Sequence, residues 1–314
     1  MFKKVLIANR GEIALRIIRS CKELGIPTVA VHSKADEHAL FVKLADESVC
    51  IGPSKATDSY LLPQRILSAA EITGADAIHP GYGFLAENAE FAKQVVSCGF
   101  TFIGPSPENI ELMGDKLASR EVMQKYGLTL LPSATISDDN LADAEKELDR
   151  IGLPLIVKAS AGGGGKGIKI VRSKEDFLNT VRNAQSEAKA AFGDGRVYLE
   201  KYLESARHIE FQIAADQYGN VVHLGERDCS IQRRYQKVVE ETPSPAVPTE
   251  LRDRVGAMVV DAVTQLGYQS VGTVEFLMDR DKNFYFLEMN TRIQVEHPIT
   301  EEVTNIDLVK LQIK

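Results

Sequence analysis

The stretch VEFLMDRDKNFYFLEMN, residues 274–290, decides how the chain is read. Two apolar runs, Val274–Met278 and Phe284–Met289, flank a polar turn, which is the pattern of a β-hairpin. If the turn centres between Asp281 and Lys282, Glu275 and Glu288 lie directly opposite each other. They then share one face, because side chains repeat every two residues along a strand. Like charges so placed destabilise a hairpin. A divalent cation between them reverses that sign, and Mg2+ favours carboxylate oxygen together with substrate phosphate. Asn290 faces the same way as Glu288 and adds an amide oxygen. The alternative is that one carboxylate turns to solvent or pairs with an arginine.

The chain continues as NTRIQVEHP, residues 290–298. Arg292, Gln294 and Glu296 alternate with Ile293 and Val295, so an extended segment puts the three polar groups on one face. Arginine beside glutamine and glutamate makes an anion clamp with an adjacent base. A half-exposed edge strand with its polar side in water is the other reading. Upstream, ERDCSIQRRYQKVVEE (226–241) supplies Arg227, Gln232, Arg233, Arg234 and Lys237. A cationic row so near two acidic segments suggests an anionic co-substrate, against the plainer reading of a solvated charged face.

A second signal is VKASAGGGGKGIKIV, residues 157–171. Gly162, Gly164 and Gly167 satisfy G-x-G-x-x-G, but four consecutive glycines make that match almost automatic. The dinucleotide fingerprint requires strand, turn and helix, whereas here the strand IKIV follows. The P-loop pattern fails as well, because Gly167 follows Lys166. What remains is a glycine hairpin loop between antiparallel strands, able to lay backbone amides over phosphate oxygens, with Lys158 and Lys166 adding charge. A floppy surface hairpin is the alternative.

Outward from these motifs, the first hundred residues alternate strand and helix: KVLIA, EIALRIIRSCKELG, TVAVHS, SVCIG, YLLPQRILSAAEITG, DAIHPGYG, ENAEFAKQVVSCG, FTFIG. In the first helix Ile13, Ile17, Cys21 and Leu24 share a face and Gly25 ends it. This order predicts an open parallel sheet with helices on both faces. Its ligand crevice is expected at the carboxyl ends of the strands, where NRGE and HPGYGFLAEN fall. A helical segment, PENIELMGDKLASREVMQKYG, leads to a second unit reaching Leu203. Residues 204–314 are richer in strands, including a hairpin through QYGN. NIDLVKLQIK, with Leu308, Val309, Leu311 and Ile313, reads as the start of a helix without a C-terminal cap, so the natural domain is expected to continue past Lys314.

The chain has 314 residues, enough for about two domains. A net charge of −7 argues against nucleic acid or an anionic membrane surface as partner. No apolar run is long enough to span a bilayer, and NRGE interrupts the N-terminal run before any signal-peptide cleavage site. Cys21, Cys50, Cys98 and Cys229 are scattered without CxxC, which suits reduced thiols in a cytoplasmic compartment.

Taken together, ANRGEIALRIIRSCKELGI, DAIHPGYGFLAEN, GDK, KASAGGGGKG, ERDCSIQRRYQKVVEE, VEFLMD and FLEMNTRIQVEHPITE resemble the biotin carboxylase component of biotin-dependent carboxylases, a family within the ATP-grasp superfamily. The resemblance covers the whole chain in the expected order. It implies an α/β chain: an N-terminal, Rossmann-like domain (1–113), linker helices with the ATP-grasp lid (114–203), and an ATP-grasp C-terminal subdomain (204–314). It implies ATP contacts from Lys116, Lys158, the flap glycines Gly164 and Gly165, the hinge Glu200, Lys201, Tyr202 and Leu203, and His208. Tyr235 also falls at the nucleotide, where many family members carry histidine. Glu275, Glu288 and Asn290 would hold Mg2+ or Mn2+. Lys237, Arg292, Gln294 and the Val295 backbone would cradle bicarbonate, with Glu296 as general base. Arg16, Arg19 and Glu23 are similar to dimer-interface positions, so a homodimer is implied.

The implied reaction is ATP- and bicarbonate-dependent carboxylation of biotin on a biotin carboxyl carrier protein, ahead of a separate carboxyltransferase acting on acetyl-CoA, pyruvate or propionyl-CoA. Family members continue beyond position 314 with a further bicarbonate-contacting arginine. The chain is therefore expected to bind ATP–Mg2+ but to carboxylate biotin poorly by itself. Two other readings stay open: a non-catalytic ATP-binding or assembly module, and a carbamoyl-phosphate-type ligase.

Overall fold

The computed structural model describes residues 1–137, 141–159, 169–234 and 236–314. The chain opens with β1 (Val5–Ile7), α1 (Gly11–Glu23), β2 (Thr28–Ser33), α2 (Leu40–Leu44), β3 (Glu47–Gly52), α3 (Pro63–Thr73), β4 (Ala77–His79), α4 (Ala89–Ser97) and β5 (Thr101–Phe102). The five strands form a parallel sheet in the order β3-β2-β1-β4-β5. Alternation within β1 explains its two covered faces. Val5 and Ile7 join Ile13, Ile17 and Cys21 of α1, while Leu6 joins Ile66 of α3 and Phe91 of α4.

The strand order reverses between β1 and β4, where an open α/β sheet usually takes its ligand. Here the protein's own groups fill that point. Asn9 Nδ2 donates to the carbonyls of Pro80 (2.7 Å) and Tyr82 (2.8 Å). A Cβ on Gly81, held at φ +65°, would come within 3.0 Å of the same amide. The acid after β2, Asp36, accepts from Arg10 Nε (2.7 Å) and from the Tyr60 hydroxyl (2.5 Å). NRGE and HPGYGFLAEN therefore lie at the strand ends as expected, but they close the crevice on each other. Arg10 is the main cause that holds the Asp36 carboxyl below its ordinary range, against the opposing effect of burial. A depressed carboxyl contributes stability above its unfolded pKa and loses it as pH falls through the folded value. Asp36→Asn is expected to cost about 2 kcal/mol at pH 7, as for hydrogen bonds to a charged group. The gap from wild type should narrow below about pH 4, as read from denaturant midpoints across that range.

Helices α5 (Pro107–Gly114) and α6 (Lys116–Lys125) follow. The sequence reads them as one segment, but Asp115 breaks it. Its backbone is extended, and its side chain accepts from the N–H groups of Leu117 and Ala118, starting a new helix. That break puts Lys116 at the first position of α6.

Next come β6 (Ser133–Ile136), α7 (Leu141–Ile151), β7 (Leu155–Ala159), β8 (Lys169–Val171), α8 (Lys174–Phe192) and β9 (Val197–Lys201). They form an antiparallel sheet in the order β6-β9-β7-β8, with Phe177 and Val181 of α8 packed on it. β7 and β8 pair antiparallel, as expected for the strands flanking the glycine run. The run itself, with Gly162, Gly164, Gly165, Lys166 and Gly167, lies outside the described residues.

The last part contains β10 (Arg207–Ala215), β11 (Val221–Arg233), β12 (Gln236–Glu241), α9 (Thr249–Gln265), β13 (Ser270–Met278), β14 (Phe284–Asn290), α10 (His297–Thr304) and α11 (Leu308–Ile313). Its antiparallel sheet runs β12-β11-β10-β13-β14. One face buries Phe211, Phe276 and Phe286 against α9 and against Met113 and Met123 of α5 and α6. α11 packs instead on α1, joining Leu308, Val309 and Ile313 to Ile13 and Ile17, whereas Leu311 stays exposed. Arg16 ties the same junction to Glu301 and Asp307, both at 2.9 Å, and Glu23 pairs with Lys310. Of the three positions similar to dimer contacts, Arg16 and Glu23 thus have partners in their own chain and Arg19 is exposed. Among the described residues no helix is long and apolar enough to cross a membrane.

Candidate active site

The register of the last sheet lines up four charged residues. Arg227 on β11 faces Glu210 on β10, Glu210 faces Glu275 on β13, and Glu275 faces Glu288 on β14. Residues in such a cross-strand row stand on the same side of the sheet. The hairpin reaches the expected Glu275–Glu288 pairing by a different route. Met278 pairs with Phe284 and Phe276 with Phe286, so the turn centres on Asp281. Continued without interruption, that register would set Leu287 opposite Glu275. A β-bulge takes up Leu287 as an extra residue and restores the glutamate pair.

Three acids in a row require cations. Arg227 is fully buried and donates to Glu210 Oε1 (2.5 Å), Gln212 (2.8 Å), Gln294 (2.7 Å), Thr300 (2.9 Å) and Thr273 (3.2 Å). Lys237, on β12, places its Nζ on Glu210, 3.0 Å from Glu275 and 2.7 Å from Glu296. His208/Glu210/Glu275 and Glu210/Cys229/Glu296 are clustered closely enough to suggest metal ligands. The lysine ammonium already sits among these glutamates, so it supplies the positive charge there. Burial alone would lower the Lys237 pKa, but Glu210, Glu275 and Glu296 together raise it, and the lysine stays charged. Burial would likewise raise Glu296, yet Lys237 holds it below its ordinary value.

Glu275 is the best-served acid. Its Oε1 accepts from Asn290 (2.8 Å), Gln294 (2.8 Å) and Lys237, and its Oε2 lies 2.7 Å from His208 Nε2. Against the opposing effect of burial, His208 and Lys237 keep its pKa depressed. Glu288 is the contrast. It opens into a cleft, and no hydrogen-bond donor among the described residues reaches it. Dense surroundings, and next the charge of Glu275, push its carboxyl above the ordinary range. An unpartnered carboxylate facing a second one, with an amide oxygen alongside, suits a hard divalent cation. The donor set of Glu275, Glu288 and Asn290 therefore fits Mg2+ or Mn2+.

The cleft holds about 410 Å3 and is lined by Lys116, Arg120, Lys158, Tyr198, Glu288 and Arg292, among others. Lys158 lies 3.2 Å from Glu200 and 4.7 Å above the Tyr198 ring. Arg120 holds the other Glu200 oxygen at 2.9 Å. Apolar walls from Ile110, Met113, Leu287 and Met289 beside lysines give room for a flat apolar group next to an anionic one.

The structure thus gathers Lys116, Lys158, Glu288, Asn290 and Arg292 around one cleft, and Lys237, His208, Glu275, Gln294 and Glu296 around the adjoining charge cluster. The expected hinge is placed less directly. Glu200 is buried between Arg120 and Lys158, and the Lys201 and Tyr202 amides donate to Pro132 and Pro154 carbonyls. The Lys201 ammonium is held by the Gly152 and Leu153 carbonyls, and Leu203 is half-buried just beyond β9. Gly164, Gly165 and Tyr235 lie outside the described residues. The expected extended segment 292–296 is not a strand. The chain bends after Asn290 and turns into α10, exposing Val295 and burying Gln294. Pro298 near the start of α10 favours that helix over further extension. Arg227, read as part of a cationic row, is an interior residue, whereas Arg233 and Arg234 are exposed. Glu87, Arg120, Tyr198 and Glu210 are absent from the sequence-based site. Glu87 falls in the loop HPGYGFLAEN expected at the crevice, whereas Glu210, alternating with Ile209, Phe211 and Ile213, reads as a solvent-facing acid.

Comparison with known proteins agrees with this geometry. Residues 1–110 match the family model "Biotin carboxylase, N-terminal domain", and residues 115–314 match "Carbamoyl-phosphate synthase L chain, ATP binding domain". Biotin carboxylase 1 of Bacillus subtilis is 55% identical over 315 residues, covering 100% of this chain and 70% of its own length. The chain belongs to the biotin carboxylase family. Membership places it among ATP-dependent ligases. Biotin carboxylase of Allochromatium vinosum is 56% identical over 314 residues with the same coverage. The biotin carboxylase–β,γ-ATP complex from Campylobacter jejuni superposes with a TM-score of 0.92 at 47% identity, covering 100% of this chain and 70% of that one. The biotin carboxylase domain dimer of Hydrogenobacter thermophilus 2-oxoglutarate carboxylase, with MgADP, ADP and bicarbonate, gives 0.91 at 54% identity, covering 100% and 69%.

Proposed function

We propose that the chain carries out ATP- and bicarbonate-dependent carboxylation of biotin held on a carrier protein. The supporting observation is the charged row Arg227–Glu210–Glu275–Glu288, bridged by Lys237 to Glu296 and opening onto a cleft with two lysines. In this reading Lys116 and Lys158 face the phosphates of ATP, under a flap that includes Gly164 and Gly165. The hinge 200–203, His208 and Tyr235 meet the rest of the nucleotide. Glu275, Glu288 and Asn290 hold Mg2+ or Mn2+, which when bound offsets phosphate charge. Lys237, Arg292, Gln294 and the Val295 backbone orient bicarbonate. Glu296 takes its proton, and the freed oxygen attacks the γ-phosphorus as the bond to ADP breaks. The product is carboxyphosphate, which yields CO2 and a phosphate able to take the biotin ureido proton. Exclusion of water protects it, a task suited to a closing flap.

Three units, 1–113, 114–203 and 204–314, divide the work in this proposal, although α11 shares a core with α1. Four unpaired cysteines suit the cytoplasm. A homodimer, a biotin carboxyl carrier protein and a carboxyltransferase complete the proposed setting. The test is ADP formation by the purified chain with ATP, Mg2+ and bicarbonate. Slow ADP formation that depends on both bicarbonate and free biotin is expected. Turnover with ammonia in place of biotin would favour carbamoyl-phosphate chemistry. Nucleotide binding without ADP release would favour a non-catalytic module.

A further inference from the structure

We infer that Glu87 is a positioning residue for Arg292, fixing the guanidinium before the anion arrives. The inference rests on the functional reading above. Glu87 Oε2 accepts from Arg292 Nε at 2.8 Å, and the two residues lie 205 positions apart. One belongs to the β4–α4 loop and the other to the segment after β14, so the pair ties the N-terminal unit across the rim of the cleft that both residues line.

The loop that offers the carboxylate is fixed along its length. Asn9 holds the carbonyls of Pro80 and Tyr82. The Gly81 amide donates to His79 Nδ1 at 3.0 Å, and burial keeps that imidazole neutral by pushing its pKa down to about 3. Phe84 stacks on Tyr60 with ring centroids 5.1 Å apart and planes 5° apart. Leu85 and Ala86 are buried, and Asn88 caps α4 by accepting from the Phe91 amide at 2.8 Å. Glu87 therefore extends from an anchored backbone.

Arg292 has five N–H donors. Nε is taken by Glu87, one Nη2 proton by Asn290 Oδ1 at 2.8 Å, and one Nη1 proton by the Ile293 carbonyl at 3.3 Å. Among the described residues, one N–H on each Nη is left for an incoming anion. Without Glu87 a long side chain would have to be ordered when bicarbonate binds, and that cost falls on affinity.

Initial rates of ADP formation at varied bicarbonate test this. Glu87→Ala is expected to raise KM for bicarbonate about tenfold, with kcat and KM for ATP each changed less than about twofold. Glu87→Gln keeps an acceptor for Nε–H and should fall between the variant and wild type. Glu87 is exposed, so neither substitution threatens folding. A bicarbonate KM unchanged in Glu87→Ala, or a parallel rise in KM for ATP, overturns the positioning role while leaving the functional reading intact. A wild-type chain whose ADP formation ignores bicarbonate overturns both.

Discussion

Glu296→Gln is expected to lower bicarbonate-dependent ADP formation by about 10²–10⁴-fold, the usual contribution of a positioned general base. Glutamine keeps the shape and can still accept from Lys237, but it cannot take a proton. In the structure Glu296 stands at the start of α10 with Oε1 2.7 Å from Lys237 Nζ. Burial favours its neutral form, and Lys237 more than reverses that, so the group is a carboxylate at neutral pH. A base held this way is a weak one while the lysine faces it. In the proposed reading it would strengthen once the ammonium turned part of its charge to a bound anion, linking proton removal to bicarbonate binding. Glu296 is not among the described residues that line the cleft proposed for ATP. Binding of ATP–Mg2+ to Glu296→Gln, read by calorimetry, should therefore stay within about twofold of wild type, as for a group acting on the second substrate alone. Retention of bicarbonate-dependent turnover within a few-fold would remove Glu296 from the base role.

The parts of this site that were legible in the sequence depend on local period. Glu275 and Glu288 were found because a hairpin forces pairing between residues thirteen apart, and alternation fixes which face they share. The bulge at Leu287 was not legible, since nothing in FYFLEMN marks one residue as extra. Two register errors cancelled: the turn sits half a residue earlier than read, and the bulge makes up the difference. Arg227 was misread as one of a cationic row facing an anionic co-substrate, because nothing local in ERDCSIQRRYQK separates it from Arg233 and Arg234. Its interior position follows from Glu210 on the neighbouring strand and Gln294 67 residues away. α9 was overlooked although Leu251, Val255, Val259 and Val263 recur every fourth residue. Glu87 was legible only as part of the loop HPGYGFLAEN at the strand ends; its contact with Arg292, between two units, leaves no local pattern. The role of Lys116 came from resemblance, and that of Lys158 also from its place beside the glycine run. Their convergence depends on Asp115 starting α6 and on the pairing of β7, both of which require the folded chain.

Arg227→Met is expected to destabilise the protein by about 3–5 kcal/mol, the cost of leaving a buried charge without its partner. Arg227 and Glu210 are both fully buried, and the salt bridge between them closes one end of the charged row. Removing the guanidinium leaves Glu210 dependent on Lys237, which also serves Glu275 and Glu296. It also removes the donors that hold Gln212, Thr273, Gln294 and Thr300. Set against a typical total of about 5–15 kcal/mol, that loss is large. Arg227→Lys should recover only part of it, because a single ammonium cannot span five acceptors in a fixed fork. The Glu210→Gln/Arg227→Met pair separates charge from packing. If the unpaired carboxylate dominates, the double variant will be more stable than Arg227→Met alone, by the non-additivity expected of contacting residues. Urea midpoints for the four proteins decide it. An Arg227→Met midpoint close to wild type would show that Lys237 alone can neutralise the row, and that the buried arginine is not what holds three glutamates in line.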